Sequence, residues 1–582
     1  MQNETLREIL SQIKLDNLTE HIHWLTENTP CRIAGTEDEK RAAEYINAQM
    51  QNFGLETELQ CFKSYNSFPG YSKIEIIEPV YREISSLACA HIVSTEKEGC
   101  ELELVYVASG GYDDYKNIGD VKGKAVLVEV SYAPAMPEKA RIACGKGAAA
   151  IVSMNWGSGQ DVISHRALKG VWGNPTEETF ERIPQIIGAG VTQNDGHALR
   201  ELCLSGPVKL RITAQARTDW SDIYQPKGIL RGNGKRKEFI LVGSHYDAWK
   251  PGVTCNATGN ATTLEIARIL AKHKDALDRD IWFVFFSGHE IAEATGSTWL
   301  LDNYWDEINK NCTGLVIIDS TGLAEAELYE IKASDEYRDF AANIAADILD
   351  EELRVLKLAK IGDQSFMGIG VPGIAQRMSY TKEYMDKNSG ATLGWWNHTI
   401  EDGLDKYDNE NIMKDTRALS ALLYNMSNVA ILPYEFSNIF TETISLIEAL
   451  SDKYGAHLTF CDLLQNLREA KELCASIQSK AKNLTDKNAE LYDRYMLQIS
   501  RHLTNALRTY ADKYQQDSYG ITKLSKPLPL LADLERLEGL DTNSFEYGMI
   551  HTQIIKNKNR INDAVNIVIE LSRAYALILT GN

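Results

Sequence analysis

The chain has 582 residues, 44% of them hydrophobic and 24% charged, with a formal net charge of −20. That length exceeds what one hydrophobic core supports and implies several domains. The acidity excludes nucleic acid and anionic membrane surfaces as partners, because their phosphates would be repelled. No run approaches the roughly 18 apolar residues of a membrane span, and the first residues lack a basic-then-apolar leader pattern. The ten cysteines form no Cys-x-x-Cys pair, which suits a reducing compartment. The expectation is a soluble, cytoplasmic, multidomain protein.

Leu6, Leu10, Ile13 and Leu18 recur near helical spacing, and 31–36 forms a loop before a capped helix containing Ala42, Ala43, Tyr45 and Ile46. An alternating run at 73–77 closes a first segment, 1–78. From Pro79 the pattern changes to short apolar strands at 103–107, 125–130 and 148–152, a helix at 139–146, a further apolar stretch at 183–187 and a helix over 195–204. This alternation, punctuated by Gly and Pro, predicts a small inserted α/β domain over 79–220. Over 221–434 the apolar runs 239–243, 281–286 and 315–318 are hydrophobic on both faces, with a helix at 262–272. They predict an open mixed α/β sheet with helices on both faces, whose ligands collect at the carboxyl ends of its strands. Residues 435–582 show helical leucine spacing interrupted by Pro527 and Pro529, and no strand.

Five segments of the main domain carry residues suited to chemistry. His245 directly follows a buried strand, and Asp247 is placed to fix its tautomer. His289 and Glu290 follow the next strand. Side chains adjacent at a strand end diverge, so Glu290 can hold a metal while His289 does acid–base work. Asp319 ends a third strand. His398 lies in an aromatic loop, where it completes a nitrogen/oxygen set that borderline metals favour. Arg377 is suited to clamping a carboxylate bidentately. Trp396, with its neighbour Trp395, would either wall a substrate or be core.

The order and spacing of His245, Glu290, Asp319 and His398, with Gly296-Ser297-Thr298 and His398-Thr399 before Glu401-Asp402, resemble the co-catalytic zinc exopeptidases, the aminopeptidase and glutamate carboxypeptidase family. Residues 121–128 resemble the protease-associated domain that many members insert. The resemblance covers about 30–430, and the helical tail loosely resembles the dimerisation domain of the carboxypeptidase branch, which implies a homodimer. It implies that His245 and Asp319 hold one metal, and Glu290 and His398 the other. It also places substrate contacts near Arg377 and Tyr380, with Trp396 and Asn397 on the approach to His398 and Arg166, Trp172 and Asn174 in a lid. Two positions depart from the family. Its bridging aspartate is Cys255 here, and its general-base glutamate is His289.

A thiolate at 255 favours zinc or iron over magnesium or manganese. Three roles stay open for it: a bridge between two ions, a ligand to one ion, or a nucleophile. A small buried cysteine in a site that has lost its ions is the fourth alternative. His289 would act as base or as oxyanion donor, neutral beside metal cations, with Glu293 as an alternative acid–base group. The expectation is a zinc-dependent hydrolase of a small, modified or cyclic amide, acting through metal-activated water on one or two ions, with iron or manganese as alternatives. The competing expectations are a conventional aminopeptidase or carboxypeptidase on short peptides, and a metal-free binding scaffold.

Overall fold

The computed structural model describes residues 4–157, 161–481, 484 and 486–580. The strand Phe239–His245 is buried along its whole length and lies between two parallel neighbours, Asp280–Phe286 and Cys312–Ile317. Continuous runs such as Phe239-Ile240-Leu241-Val242 suit this position, since helices cover both faces and no side needs to be polar. The next strands outward are Gly373–Ser379, which is parallel, then Leu328–Ala333, which is antiparallel to it, and Leu353–Lys357 at the edge. On the other flank Val208–Leu230 pairs antiparallel with Asp280–Phe286. The mixed sheet with helices on both faces is therefore present.

Sequence patterning saw only a fragment of what joins the domains. Glu56–Glu78 and Val208–Leu230 are 23-residue strands paired antiparallel from Glu56↔Ile229 to Glu78↔Lys209, with register breaks between Pro69 and Ser72 and between Ile76 and Glu78. At about 3.3 Å per residue each is on the order of 75 Å long. Leu230 pairs with Ile281 of the main sheet, and Val208 pairs with Leu104 of the inserted domain. One strand thus belongs to both halves, and the inserted domain is fixed by a continuous hydrogen-bonded ribbon. Its own strands are Cys100–Tyr106, Ala125–Glu129, Ala150–Met154 and Ile187–Val191, with helices Met136–Gly145 and Gln193–Ser205. The last strand begins at Ile187, where the apolar stretch at 183–187 ends, because Pro184 cannot donate to a ladder.

The C-terminal region is helical, from Ser437–Tyr454 through Phe545–Thr580. It is locked to the main domain by Arg279, whose Nη2 donates to Asp493 at 2.9 Å with both side chains fully buried. Asp493 also accepts the backbone N–H of Leu432 at 2.6 Å. No helix among the described residues is long and apolar enough to cross a membrane. Because Asp493→Ala leaves the buried guanidinium with only Glu238, 3.9 Å from Nε, as an ionic partner, it should destabilise the protein by about 3 kcal/mol. Chemical denaturation would measure this, and a loss under about 1 kcal/mol would mean the pair is solvated.

Candidate metal centre

Three parallel strands deliver the site. His245 is the last residue of its strand, Asp319 comes two residues after Cys312–Ile317, and Glu290 comes four after Asp280–Phe286. Cys255 arrives from the turn between His245 and the helix Thr258–Lys272, and His398 from a loop in which its φ is +62°, a strained value for a non-glycine residue.

The five side chains meet around the Cys255 sulfur. Sγ lies 3.8 Å from His245 Nε2, 3.5 Å from Glu290 Oε1 and 3.6 Å from His398 Nε2. His245 Nε2 is 3.4 Å from Asp319 Oδ1, and His398 Nε2 is 3.2 Å from Glu290 Oε2. Two donor triplets result, His245–Cys255–Asp319 and Cys255–Glu290–His398, with the thiol common to both. A tetrahedral ion with bonds of about 2.0–2.3 Å holds its ligand atoms roughly 3.3–3.8 Å apart. The observed spacings match that range closely, and a mixed N, O and S set suits zinc.

Electrostatics are consistent with a cation-binding site. Burial drives the Cys255 thiol well above its ordinary pKa, and the charges of Glu290, Asp319 and Asp402 add to this. Burial acts in the same direction on Glu290 and Asp319, but their histidine partners override it. Glu290 falls to about 2 beside His398, and Asp319 lies well below the usual range beside His245 and Arg377.

A supporting shell fixes the turn that carries Cys255. Asp402 accepts the backbone N–H of Thr254 at 2.8 Å, that of Cys255 at 3.1 Å and the Thr254 hydroxyl at 2.7 Å. Asn256 ties three segments together: its Nδ2 donates to Ser244 Oγ and to the carbonyls of His245 and Ile318, while its Oδ1 accepts from Ser320 N. The fully buried Arg32 donates to the carbonyls of Tyr246 and Gly252 at 2.8 and 2.5 Å.

Several sequence expectations change here. Asp247 orients His245, but through its backbone carbonyl rather than its carboxylate. It is fully buried, its carbonyl meets His245 Nδ1 at 3.0 Å, and its carboxylate accepts the backbone N–H of His289 at 3.2 Å and of Glu290 at 3.1 Å. It is a positioning residue for the site loop. The neutral His289 is an expectation for a ring beside metal cations; among the protein's own groups, burial and a carboxylate compete for it. Burial would depress it, but the Asp363 carboxylate, 2.8 Å from Nδ1, raises it to about 10 within the protein's own charges. The ring stacks on His245 with centroids 3.8 Å apart, and a Cβ at Gly362 would come within 2.0 Å of it. Tyr380 and Trp396 belong to the main core rather than to a substrate wall. Tyr380 stacks on Tyr384, and Trp396 Nε1 donates to Thr254 Oγ1 at 3.2 Å.

Arg377 and Asn397 do line a cavity of about 480 Å³ above the thiol, together with Cys255, His289, Glu290, Asp319 and His398. Arg166 and Trp172 of the inserted domain form part of its roof, whereas Asn174 instead bonds the backbone of Lys63 and Tyr65 outside it. Glu293 also borders the cavity, raised to about 7 by burial. The tail supplies the rest of the roof through Tyr519–Ser525, latched to the inserted domain by Thr522, whose N and Oγ1 both donate to Glu138 Oε1. No sequence pattern indicated that contribution.

Comparison with known proteins agrees with this architecture. Residues 228–423 match the model of peptidase family M28, and residues 90–199 match the PA domain. The aminopeptidase YwaD of Bacillus subtilis (strain 168) is 25% identical over 421 residues, spanning 69% of this chain and 83% of that protein. A probable glutamate carboxypeptidase of Zea mays is 22% identical, spanning 47% of this chain and 46% of its own. Among solved structures, an aminopeptidase from Aneurinibacillus sp. strain AM-1 superposes with a TM-score of 0.55 at 22% identity, covering 72% of this chain and 95% of that one.

Removing the Asp402 carboxylate leaves buried backbone donors unpaired at the Cys255 turn, at about 1–3 kcal/mol per group. Asp402→Ala should therefore lower the melting temperature and reduce zinc retained through gel filtration. Full zinc retention would show that the turn holds its shape unaided.

Proposed function

We propose, from the match of residues 228–423 to peptidase family M28 and of residues 90–199 to the PA domain, a zinc-dependent peptidase acting on a short peptide, or an amide of similar size, enclosed beneath the roof. The observation that carries this is the Cys255 thiol, set between two imidazole–carboxylate pairs at ligand spacing. His245, Asp319, Glu290 and His398 would hold the metal, with Cys255 contributing to both positions. Zinc bound there supplies Lewis acidity toward the scissile carbonyl and activates water as the nucleophile.

The protein's own groups do the rest. Asp363 fixes His289 Nδ1 as a donor, leaving Nε2 as the ring nitrogen that exchanges a proton with the reacting groups. Asp247 holds the backbone at 289–290, so His289 and Glu290 keep their divergent directions. The roof excludes bulk water, which strengthens each charge interaction inside. Arg377 donates through Nη1 to the Asp319 carbonyl at 3.2 Å, while its buried Nε has no partner among the described residues. A substrate carboxylate would satisfy that donor. A volume of about 480 Å³ suits a ligand of dipeptide or tripeptide size. The relatives named as aminopeptidases favour an amino-terminal cut, which is compatible with a carboxylate held at the far end of so short a substrate.

Chelation should abolish hydrolysis of a panel of dipeptides and aminoacyl amides, and stoichiometric zinc should restore it. Turnover that survives complete metal removal would contradict the proposal. Arg377→Met should raise KM for substrates with a free carboxylate by about ten- to a hundredfold, the worth of one hydrogen bond to a charged group, while changing kcat little. Carboxamide analogues should lose nothing further. Equal losses on both substrate types would assign Arg377 to holding Asp319 instead.

A further inference from the structure

The two site histidines have opposite partners on their outer nitrogens. His245 Nδ1 faces the Asp247 carbonyl at 3.0 Å, and a carbonyl only accepts. Nδ1 therefore carries a proton, as it must when Nε2 is the nitrogen that ligates an ion. A ligating histidine ordinarily has this arrangement. His398 Nδ1 faces Arg166 Nη1 at 3.3 Å, and a guanidinium only donates. That contact suits a bare Nδ1, whereas ligation through Nε2, the nitrogen facing Glu290 and Cys255, requires the proton on Nδ1. An ion at His398 Nε2 would turn Nδ1–H against a guanidinium and bring a second positive charge toward it.

We propose that Arg166 makes the two ion positions unequal: the His245–Cys255–Asp319 position fills first and tightly, and the Glu290–His398–Cys255 position fills weakly until Arg166 leaves His398. This rests on the zinc-centre reading above. Arg166 is not free to drift away by itself. The neighbouring His165 N–H donates to the His398 carbonyl at 2.9 Å, and the guanidinium lies 4.8 Å over the Trp156 ring. Its Nε and Nη2 are buried with no partner among the described residues, so an anionic group in the cavity could draw it off the histidine. Arg166 comes from the inserted domain, which thereby influences how many ions the centre holds.

The test is a zinc titration of chelator-stripped full-length protein in competition with a chromophoric chelator, on wild type, Arg166→Gln and Arg166→Lys. Glutamine is neutral and offers an acceptor to His398 Nδ1–H, whereas lysine keeps the positive charge. Wild type should show one tight and one weak event separated by at least tenfold. Arg166→Gln should tighten the weak event by about tenfold or more, within the range that outer partners of metal ligands command, and Arg166→Lys should leave it weak. An unchanged tight event in each variant shows that the protein remains folded, and Asp319→Asn should weaken that event alone. Equal affinities in wild type, an unchanged weak event in Arg166→Gln, or the same tightening in Arg166→Lys would each overturn the proposal. No zinc binding in any protein would instead overturn the zinc-centre reading itself.

Discussion

A thiol that is 3% exposed, held within 3.5–3.8 Å of two imidazoles and a carboxylate, is the constraint on which the site depends. Burying acids together is costly unless positive charge compensates them. The fold provides two histidines for two carboxylates and leaves the thiol between them, protonated within the protein's own field. A divalent cation would resolve the remaining tension, since coordination deprotonates a thiol outright. The surrounding features serve to hold that geometry. Asp402 grips the Cys255 turn, Asn256 joins the strand ends, Asp247 pins the 289–290 backbone and Arg32 braces the loop through Tyr246 and Gly252.

The domains above the site are coupled to it by covalent continuity and by backbone hydrogen bonds. Val208–Leu230 is shared by both halves of the sheet, so the inserted domain is seated by a ladder rather than by a flexible linker. Lys169, fully buried, donates to the carbonyls of Gly173 and Ala292, and Gly173 N donates to the Glu293 carbonyl, which fastens the roof to the loop that carries His289 and Glu290. The helical tail adds Tyr519–Ser525 through the Glu138–Thr522 latch.

Much of the floor of the site was legible in the sequence. His245, Glu290 and Asp319 each follow a continuously apolar strand, and parallel strands bring such positions to one edge. The inserted α/β domain and the helical tail were likewise visible from periodicity and punctuation. Tyr380 and Trp396 misled because sequence proximity to Arg377 and Asn397 is not spatial proximity: side chains alternate along a strand, and neighbours in a loop diverge. Asp363, Arg32 and the Arg166–His398 contact lie 74, 214 and 232 residues from their partners and carry no local pattern. The long ribbon escaped notice because its polar, half-exposed middle has neither strict alternation nor a continuous apolar run.

The most direct test of the shared thiol is X-ray absorption at the zinc edge of the zinc-loaded protein, compared with Cys255→Ser. Wild type should show a sulfur shell at about 2.3 Å beside nitrogen and oxygen at about 2.0–2.1 Å, and the variant should lose the sulfur shell alone. A wild-type spectrum with only nitrogen and oxygen neighbours would remove Cys255 from the metal centre.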